Sequence, residues 1–266
     1  MDKIIGIIPA RMKSSRFPGK PMAKIHGIPM IGHCLYRSQM CKRLDGLYVA
    51  TPDKEVFNYV KSIGGAPIMT SHKHKMCNDR VLEALLKVEK QIGERYDIVI
   101  CIQGDQPMVF PQQIEDVAQP FIDDKSIQCA TMMDRITRIE DHDNPNKIKM
   151  VVDLNNFVLY FSREPIPSRK KCSDIDSIPM YRHVALTSFR RGFFEKMNSI
   201  EMTPLETVES IDDIRYLEHD YKVKAVLTDY VTDTVDTLED LEYVSKLMEN
   251  DELMKLYKDK EITLNR

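Results

Sequence analysis

The sequence predicts an α/β protein on a doubly wound, mostly parallel sheet with an inserted β-rich portion. Two apolar runs, KIIGIIP at residues 3–9 and DIVICI within YDIVICIQGDQP at 96–107, have the unbroken apolar character of strands covered on both faces. Stretches with apolar residues at helical spacing alternate with such runs, as a parallel sheet with crossover helices requires. After about residue 126 the pattern turns to antiparallel β-structure, which marks the insert, roughly 127–220, within a single domain over 1–266.

KIIGIIP is the first strand, and a loop follows it. IPMIGHCLYRSQMCK (28–42) then carries apolar residues at helical spacing, and GLYVAT (46–51) reads as a strand. DKEVFNYVKSIGG (53–65) reads as a helix with Asp53 as N-cap and Gly64 and Gly65 as its stop. APIMT (66–70) is strand-like, and NDRVLEALLKVEKQIG (78–93) is an amphipathic helix starting at Asn78 or Asp79. YDIVICIQGDQP supplies the second apolar strand and ends abruptly in polar residues. SIQCATMM (126–133) and KIKMVVDLNNFVLYFSR (147–163) read as antiparallel strands, the latter folded at an LNN turn. PMYRHVALTSFRR (179–191) is a further strand and TPLETVESIDDIRYLEHD (203–220) is helical. KVKAVLT (222–228) is a strand and TLEDLEYVSKLMEND (237–251) a closing helix. No internal repeat or Gly/Ser linker divides the chain.

With 38 basic and 41 acidic residues among 266, the charge balance argues against generic nucleic-acid or membrane-surface binding, so electrostatic attraction must be local. No apolar run approaches the ~18 residues a membrane helix needs, and the N-terminus runs straight into a strand, so the expectation is a cytoplasmic protein. The six cysteines show no CxxC or Cys/His spacing suited to zinc and read as reduced, structural thiols.

The loop IIPARMKSSRFPGKPM (7–22) places Arg11, Lys13, Arg16 and Lys20 within ten positions with no acid among them. It is either a solvated basic turn or an anion site. It is long for a strand-to-helix connection, which usually takes ~2–6 residues, and its prolines and glycine shape the backbone so that amides can face a ligand. It is neither a Walker A loop nor a GxGxxG fingerprint. Charge neutralisation by Arg and Lys suits a triphosphate whose pyrophosphate leaves. Ligands of doubly wound sheets bind at the carboxyl ends of the strands, where both this loop and the QGD of residues 103–105 lie. Asp105 alone reads as a turn residue, a cap, or one acid of a divalent-metal site. Mg2+ takes one or two carboxylates plus phosphates and waters, so a second acid is needed, and TDTVDTLEDLE offers Asp233, Asp236, Glu239 and Asp240. Asp236 reads equally as an N-cap. Taken alone, His183 reads as a structural strand histidine and Arg163 as a surface cation or hairpin brace.

IIPARMKSSRFPGKPM, QGDQPM, NPNKIKMVVD, LYFSREPIP, RHVALTSFR, TPLETVESIDDIR and VDTLEDLE follow one another in an order and spacing that resembles the 3-deoxy-manno-octulosonate (Kdo) cytidylyltransferases, the CMP-Kdo synthetases, and more distantly the CMP-sialic acid synthetases. The resemblance runs from about residue 3 to 248 and implies a nucleotide-diphospho-sugar transferase-like fold. It implies transfer of CMP from CTP to the anomeric hydroxyl of an acidic sugar, with release of pyrophosphate, Mg2+ as cofactor, lipopolysaccharide biosynthesis as the setting, and a homodimer. Carried over position by position, Arg11, Ser14, Arg16 and Lys20 would hold the triphosphate, with Pro9, Ala10 and Arg80 completing the nucleotide site. Asp105 and Asp236 would be the magnesium ligands. Gln103, Arg163, His183, Glu206 and Glu209 would line the acceptor pocket, and Arg11, Lys20, Asp105 and Asp236 would carry the chemistry.

The sequence departs from that family in places. A common His-x-Ser-Gly-Thr-Glu-Arg run here reads HKMCNDR, keeping His74 and Arg80 but putting Met76, Cys77 and Asn78 in the Ser-Gly-Thr positions. Thr187 stands where a tyrosine is usual, SIDDIR replaces a Leu-Glu-Gln-Leu-Arg run, and Lys13 adds a cation where a small residue is common. Most of these bear on the acceptor side, which admits 8-amino-Kdo, another nonulosonate or a phosphonate in place of Kdo. A CTP-binding regulator without catalysis is the alternative of a different class.

Overall fold

The computed structural model describes residues 2–14, 16–74, 76–172 and 174–259. The chain forms two compact units, Met1–Glu115 with Val231–Arg266, and Asp116–Tyr230. In the first, the opening apolar run becomes β1 (Ile4–Pro9), with Ile4, Ile5, Ile7 and Ile8 buried. The cation loop follows and ends in a short 3-10 turn, Lys20–Met22. A small ribbon, β2 (Lys24–Ile25) and β3 (Ile28–Pro29), leads into α1 (Met30–Gln39). β4 (Gly46–Thr51), α2 (Lys54–Ser62), β5 (Pro67–Met69), α3 (Cys77–Ile92) and β6 (Ile98–Ile102) complete the alternation, and α4 (Pro111–Asp123) follows, most of its length belonging to the second unit.

β1 pairs in parallel with both β4 and β6, and β4 pairs in parallel with β5, giving the order β6–β1–β4–β5. Strand order reverses between β1 and β6, which is the switch point where such sheets bind ligands. All five residues of β6 are buried, as a parallel strand covered on both faces demands. α3 begins at Cys77 with Met76 at the cap position and no side-chain cap, one residue before the expected start.

In the second unit, β7 (Cys129–Arg135) and α5 (Ile139–Asp143) precede a hairpin of β8 (Lys149–Val152) and β9 (Val158–Ser162). Its turn is closed by Asp153 N–H to the Phe157 carbonyl, with Asn156 in the left-handed region at φ 57. β10 (Tyr181–Arg190) runs antiparallel to β7 and β8 and leads into α6 (Arg191–Asn198). The stretch expected to be one helix over 203–220 is two, α7 (Pro204–Glu209) and α8 (Ile214–Glu218). Ser210, at φ 55, ends the first, because a left-handed residue cannot continue a right-handed helix. β11 (Val223–Leu227) pairs in parallel with β7. The chain then re-enters the first unit with α9 (Leu238–Leu247) and α10 (Glu252–Lys255). There Tyr257 stacks on Tyr36, and its hydroxyl bonds to His33 Nδ1 at 2.7 Å and accepts from Arg37 Nε at 3.2 Å. Among the described residues no helix is long and apolar enough to cross a membrane.

Candidate active site

The cation loop is tied down from several sides. Met12 N–H donates to Asp53 Oδ2 at 2.8 Å, so Asp53 holds the N-cap position of α2 while spending its carboxylate on the loop. Gly19 N–H bonds to the Met12 carbonyl at 2.9 Å, and Phe17 N–H to Ser14 Oγ at 3.3 Å. Gly19 adopts φ +78, a conformation that L side chains resist. These ties deliver Lys20 inward. Its ammonium lies 2.7 Å from Asp105 Oδ2 and 3.1 Å from Asp236 Oδ1, with the side chain only 13% exposed. Burial works against the charged lysine, but the two carboxylates outweigh it and hold its pKa above the ordinary value. Arg16 NH2 reaches Asp236 Oδ1 at 3.0 Å.

The two acids arrive from distant segments. Asp105 follows β6, and Gly104 before it packs so closely that a Cβ there would sit 2.5 Å from the Pro9 carbonyl oxygen. Only glycine lets the QGD turn lie against the end of β1. Val235 N–H donates to the Asp105 carbonyl at 2.9 Å, and Gln106 Nε2 to Thr234 Oγ1 at 3.3 Å. The helix cap expected of Asp236 belongs instead to Thr237, which forms a capping box with Asp240 at the start of α9. Asp240 Oδ2 also accepts from Asp236 N–H at 2.9 Å. Asp236 is thereby left with its carboxylate facing Lys20.

A cleft of about 290 Å³ is lined by Pro9, Ala10, Arg11, Ser14, Arg16, Lys20, Arg80, Gln103, Asp105 and Asp236, together with Lys13, Met76 and Cys77. All seven nucleotide-side positions singled out from the sequence are therefore brought together, and Gln103 joins them. Arg80 donates to Thr70 Oγ1 at 2.7 Å and to the Ser71 carbonyl at 3.1 Å. Burial, and then the Arg11 charge, lower its pKa. His74 pairs with Glu83 at 2.5 Å. Burial would raise Glu83, but Lys87, the Ser71 amide and His74 overcome it and hold its pKa at about 2.

The other acceptor-side positions fall into three separate networks in the second unit. Arg163 Nε donates to the Glu209 carbonyl at 2.6 Å, and NH1 to the Pro145 carbonyl at 3.1 Å, bracing the chain after β9. The Glu209 carboxylate accepts from Arg163 N–H at 2.8 Å and Ser162 Oγ at 3.1 Å. Glu206 is fully buried, paired with Arg215 at 2.5 Å, and closes the capping box of α7 with Thr203. Its carboxylate is thus occupied inside the unit by Arg215 and the Thr203 amide. His183 Nε2 lies 2.8 Å from Thr131 Oγ1 and 3.4 Å from Asp213 Oδ2. Burial, with help from Arg182, lowers His183 to about 4. Burial, reinforced by Asp212, raises Asp213 to about 7. The two therefore face each other as neutral groups at mildly acid pH. Asp53 and Asp213 are the polar residues that sequence reasoning passed over. Asp53 read as a cap, and its partner Met12 is 41 residues away. For Asp213 the signal was present, as the SIDDIR departure.

A cation-bearing loop and two carboxylates at the switch point of a parallel sheet define an α/β nucleotide-binding protein of the nucleotidyltransferase type. The cytidylyltransferase family model matches residues 5–262, and the chain belongs to that family. It is 38% identical over 257 residues to a 3-deoxy-manno-octulosonate cytidylyltransferase of Parabacteroides distasonis, covering 94% of this chain and 100% of that protein. It is also 38% identical over 248 residues to the enzyme of the same name from Syntrophus aciditrophicus, covering 93% and 98%. A solved structure of CMP:2-keto-3-deoxy-manno-octonic acid synthetase complexed with CTP superposes with a TM-score of 0.84 at 34% identity, covering 92% of this chain and 98% of that one.

Proposed function

We propose that this protein transfers CMP from CTP to the anomeric hydroxyl of an acidic 3-deoxy-2-ulosonate sugar such as Kdo, releasing pyrophosphate. The observation that carries this reading is the Lys20 ammonium seated between Asp105 and Asp236 at the switch point, with Arg11 and Arg16 on the same loop. In the reaction the sugar oxygen attacks the α-phosphorus, the bond to the β-phosphate oxygen breaks, and the hydroxyl proton passes to water. Both substrates are anions, so most of the work is positioning and charge neutralisation. Arg11, Arg16 and Lys20 hold the triphosphate and stabilise the leaving pyrophosphate. Ser14, Pro9, Ala10 and Arg80 shape the rest of the nucleotide site.

The donor set suits magnesium. Asp105 and Asp236 each place an oxygen about 3 Å from one point, now the Lys20 ammonium, so a cation is already accommodated between them. Among the described residues no third acid, histidine or cysteine joins them. Two carboxylates plus substrate phosphates and waters is the usual magnesium arrangement. When bound there, the ion supplies further charge neutralisation at the phosphates.

Acceptor recognition is assigned to Gln103, which shares the cleft with Asp105, and to the motif positions Arg163, His183, Glu206 and Glu209 of the second unit. For the latter four the support is motif resemblance. The same reading makes the chain one cytidylyltransferase domain with an acceptor-binding and dimerisation insert, acting in the cytoplasm as a homodimer.

The test is pyrophosphate release from CTP and Mg2+ with a panel of Kdo, 8-amino-Kdo, other nonulosonates and phosphonates. Release with an acidic ulosonate is expected. CTP binding with no release on any acceptor would replace the enzyme with a regulator. Asp105→Ala and Asp236→Ala should each abolish release with the fold intact, and activity retained in both would remove the metal assignment.

A further inference from the structure

All six cysteines lie among the described residues and stand as thiols. Burial pushes Cys34 and Cys129 far above the ordinary thiol range, which makes them inert. Cys77 and Cys101 are placed differently. Cys101 sits on β6, 1% exposed, and Cys77 is half-buried at the first position of α3, lining the nucleotide cleft. Their sulfurs are 3.4 Å apart. Cys77 occupies the glycine position of the His-x-Ser-Gly-Thr-Glu-Arg run this stretch resembles.

We infer that Cys77 and Cys101 form a reversible disulfide at the wall of the nucleotide cleft, a modification site for hydroperoxide oxidants. The thiol pair is already in contact, and bonding at ~2.05 Å requires closure of little more than 1 Å. Cys77 begins its helix, where the backbone N–H has no intrahelical partner to lose as the sulfur moves. The cleft gives an oxidant access to Cys77, while Cys101 waits behind it as the resolving thiol. In the first step the Cys77 sulfur attacks one peroxide oxygen, the O–O bond breaks, and water or an alcohol leaves, giving a sulfenic acid. In the second the Cys101 sulfur attacks the Cys77 sulfur and the hydroxyl leaves as water with the thiol proton. Two electrons pass from the two sulfurs to the peroxide.

The consequence reaches the cleft through Gln103. Its Nε2 donates to Cys77 Sγ at 3.4 Å and to Cys101 Sγ at 3.6 Å, while the Cys77 thiol faces its Oε1 at 3.7 Å. A disulfide has no S–H to donate and leaves the Gln103 amide without that orienting partner, two residues from Asp105.

The experiment treats the full, reduced chain with stoichiometric hydrogen peroxide, then maps peptides by mass and follows pyrophosphate release. A crosslink joining the peptides of residues 77 and 101, with loss of two hydrogen masses, is expected. Pyrophosphate release should fall with it and return on adding dithiothreitol. Cys101→Ser should keep basal release and lose both the crosslink and the reversible inhibition. Cys101→Ala serves if the serine variant does not fold, and Cys77→Ser should also abolish the crosslink. Oxygen added to Cys77 while Cys101 stays a thiol, or a crosslink with unchanged release, would overturn the inference. The peptide map is independent of turnover, so a chain that proved inactive on every acceptor would still decide whether the disulfide forms.

Discussion

Lys20 is the residue on which the charges of the first unit meet. Replacing it with methionine leaves Asp105 and Asp236 facing each other with no ammonium between them and removes a cation from the leaving group. Pyrophosphate release should fall by roughly 10²-fold or more while the circular dichroism spectrum is unchanged. His183 and Asp213 give a test of another kind. In the unfolded chain at pH 5.5 the histidine carries a proton and the aspartate does not. In the folded unit the proton sits on Asp213, at about 7, and not on His183, at about 4. Each state binds one proton, so the pair adds almost no pH dependence between those values. Asp213→Asn unmasks the histidine. A depressed pKa stabilises above the unfolded value and loses that stabilisation as pH falls, so the variant should lose roughly 3 kcal/mol between pH 6.5 and 4. His183→Gln unmasks the raised aspartate and should lose stability as pH rises from 4 to 7. Urea titrations at four or five pH values would show whether the two slopes have opposite sign. This pairing was not legible in the sequence, because proton placement follows burial, and burial follows the pairing of β10 with β7.

At the scale of elements, what could be read was whatever repeats within a few residues. β1 and β6 are uninterrupted apolar runs, and the strands lie where those runs predicted. α4 escaped notice because it carries Pro120 within it, a residue that ordinarily breaks a helical pattern. The division of α7 from α8 turns on one left-handed serine, which no periodicity records. The QGD glycine and the α9 cap give the element-scale tests. Gly104→Ala forces a Cβ against the Pro9 carbonyl, moves Asp105, and should cost activity more than it costs stability, read as pyrophosphate release beside melting temperature. Thr237→Ala removes the cap that frees the Asp236 carboxylate. It should destabilise by about 1 kcal/mol and weaken release through Asp236.

At the scale of the whole molecule, the first unit is sealed by a buried ion pair. Arg37 is fully buried, its NH2 group 2.6 Å from Asp251 Oδ1 and its Nε on the Tyr257 hydroxyl. Asp251→Ala strands that guanidinium and should cost about 3 kcal/mol or more in chemical denaturation. Nothing in the sequence marks this pair, since its members are 214 residues apart. The candidate site shares that geometry. Its loop and QGD turn were legible as motifs, but their convergence on Asp236, 216 residues from Lys20, belongs to the fold. A chain growing on the ribosome makes Lys20 and Asp105 early and must pass through all of Asp116–Tyr230 before Asp236 exists. Domains fold largely in the order of their synthesis. The second unit can therefore finish folding while the first still waits for the segment from Val231 onward, and competence for nucleotide chemistry arrives only once Asp236 has been made.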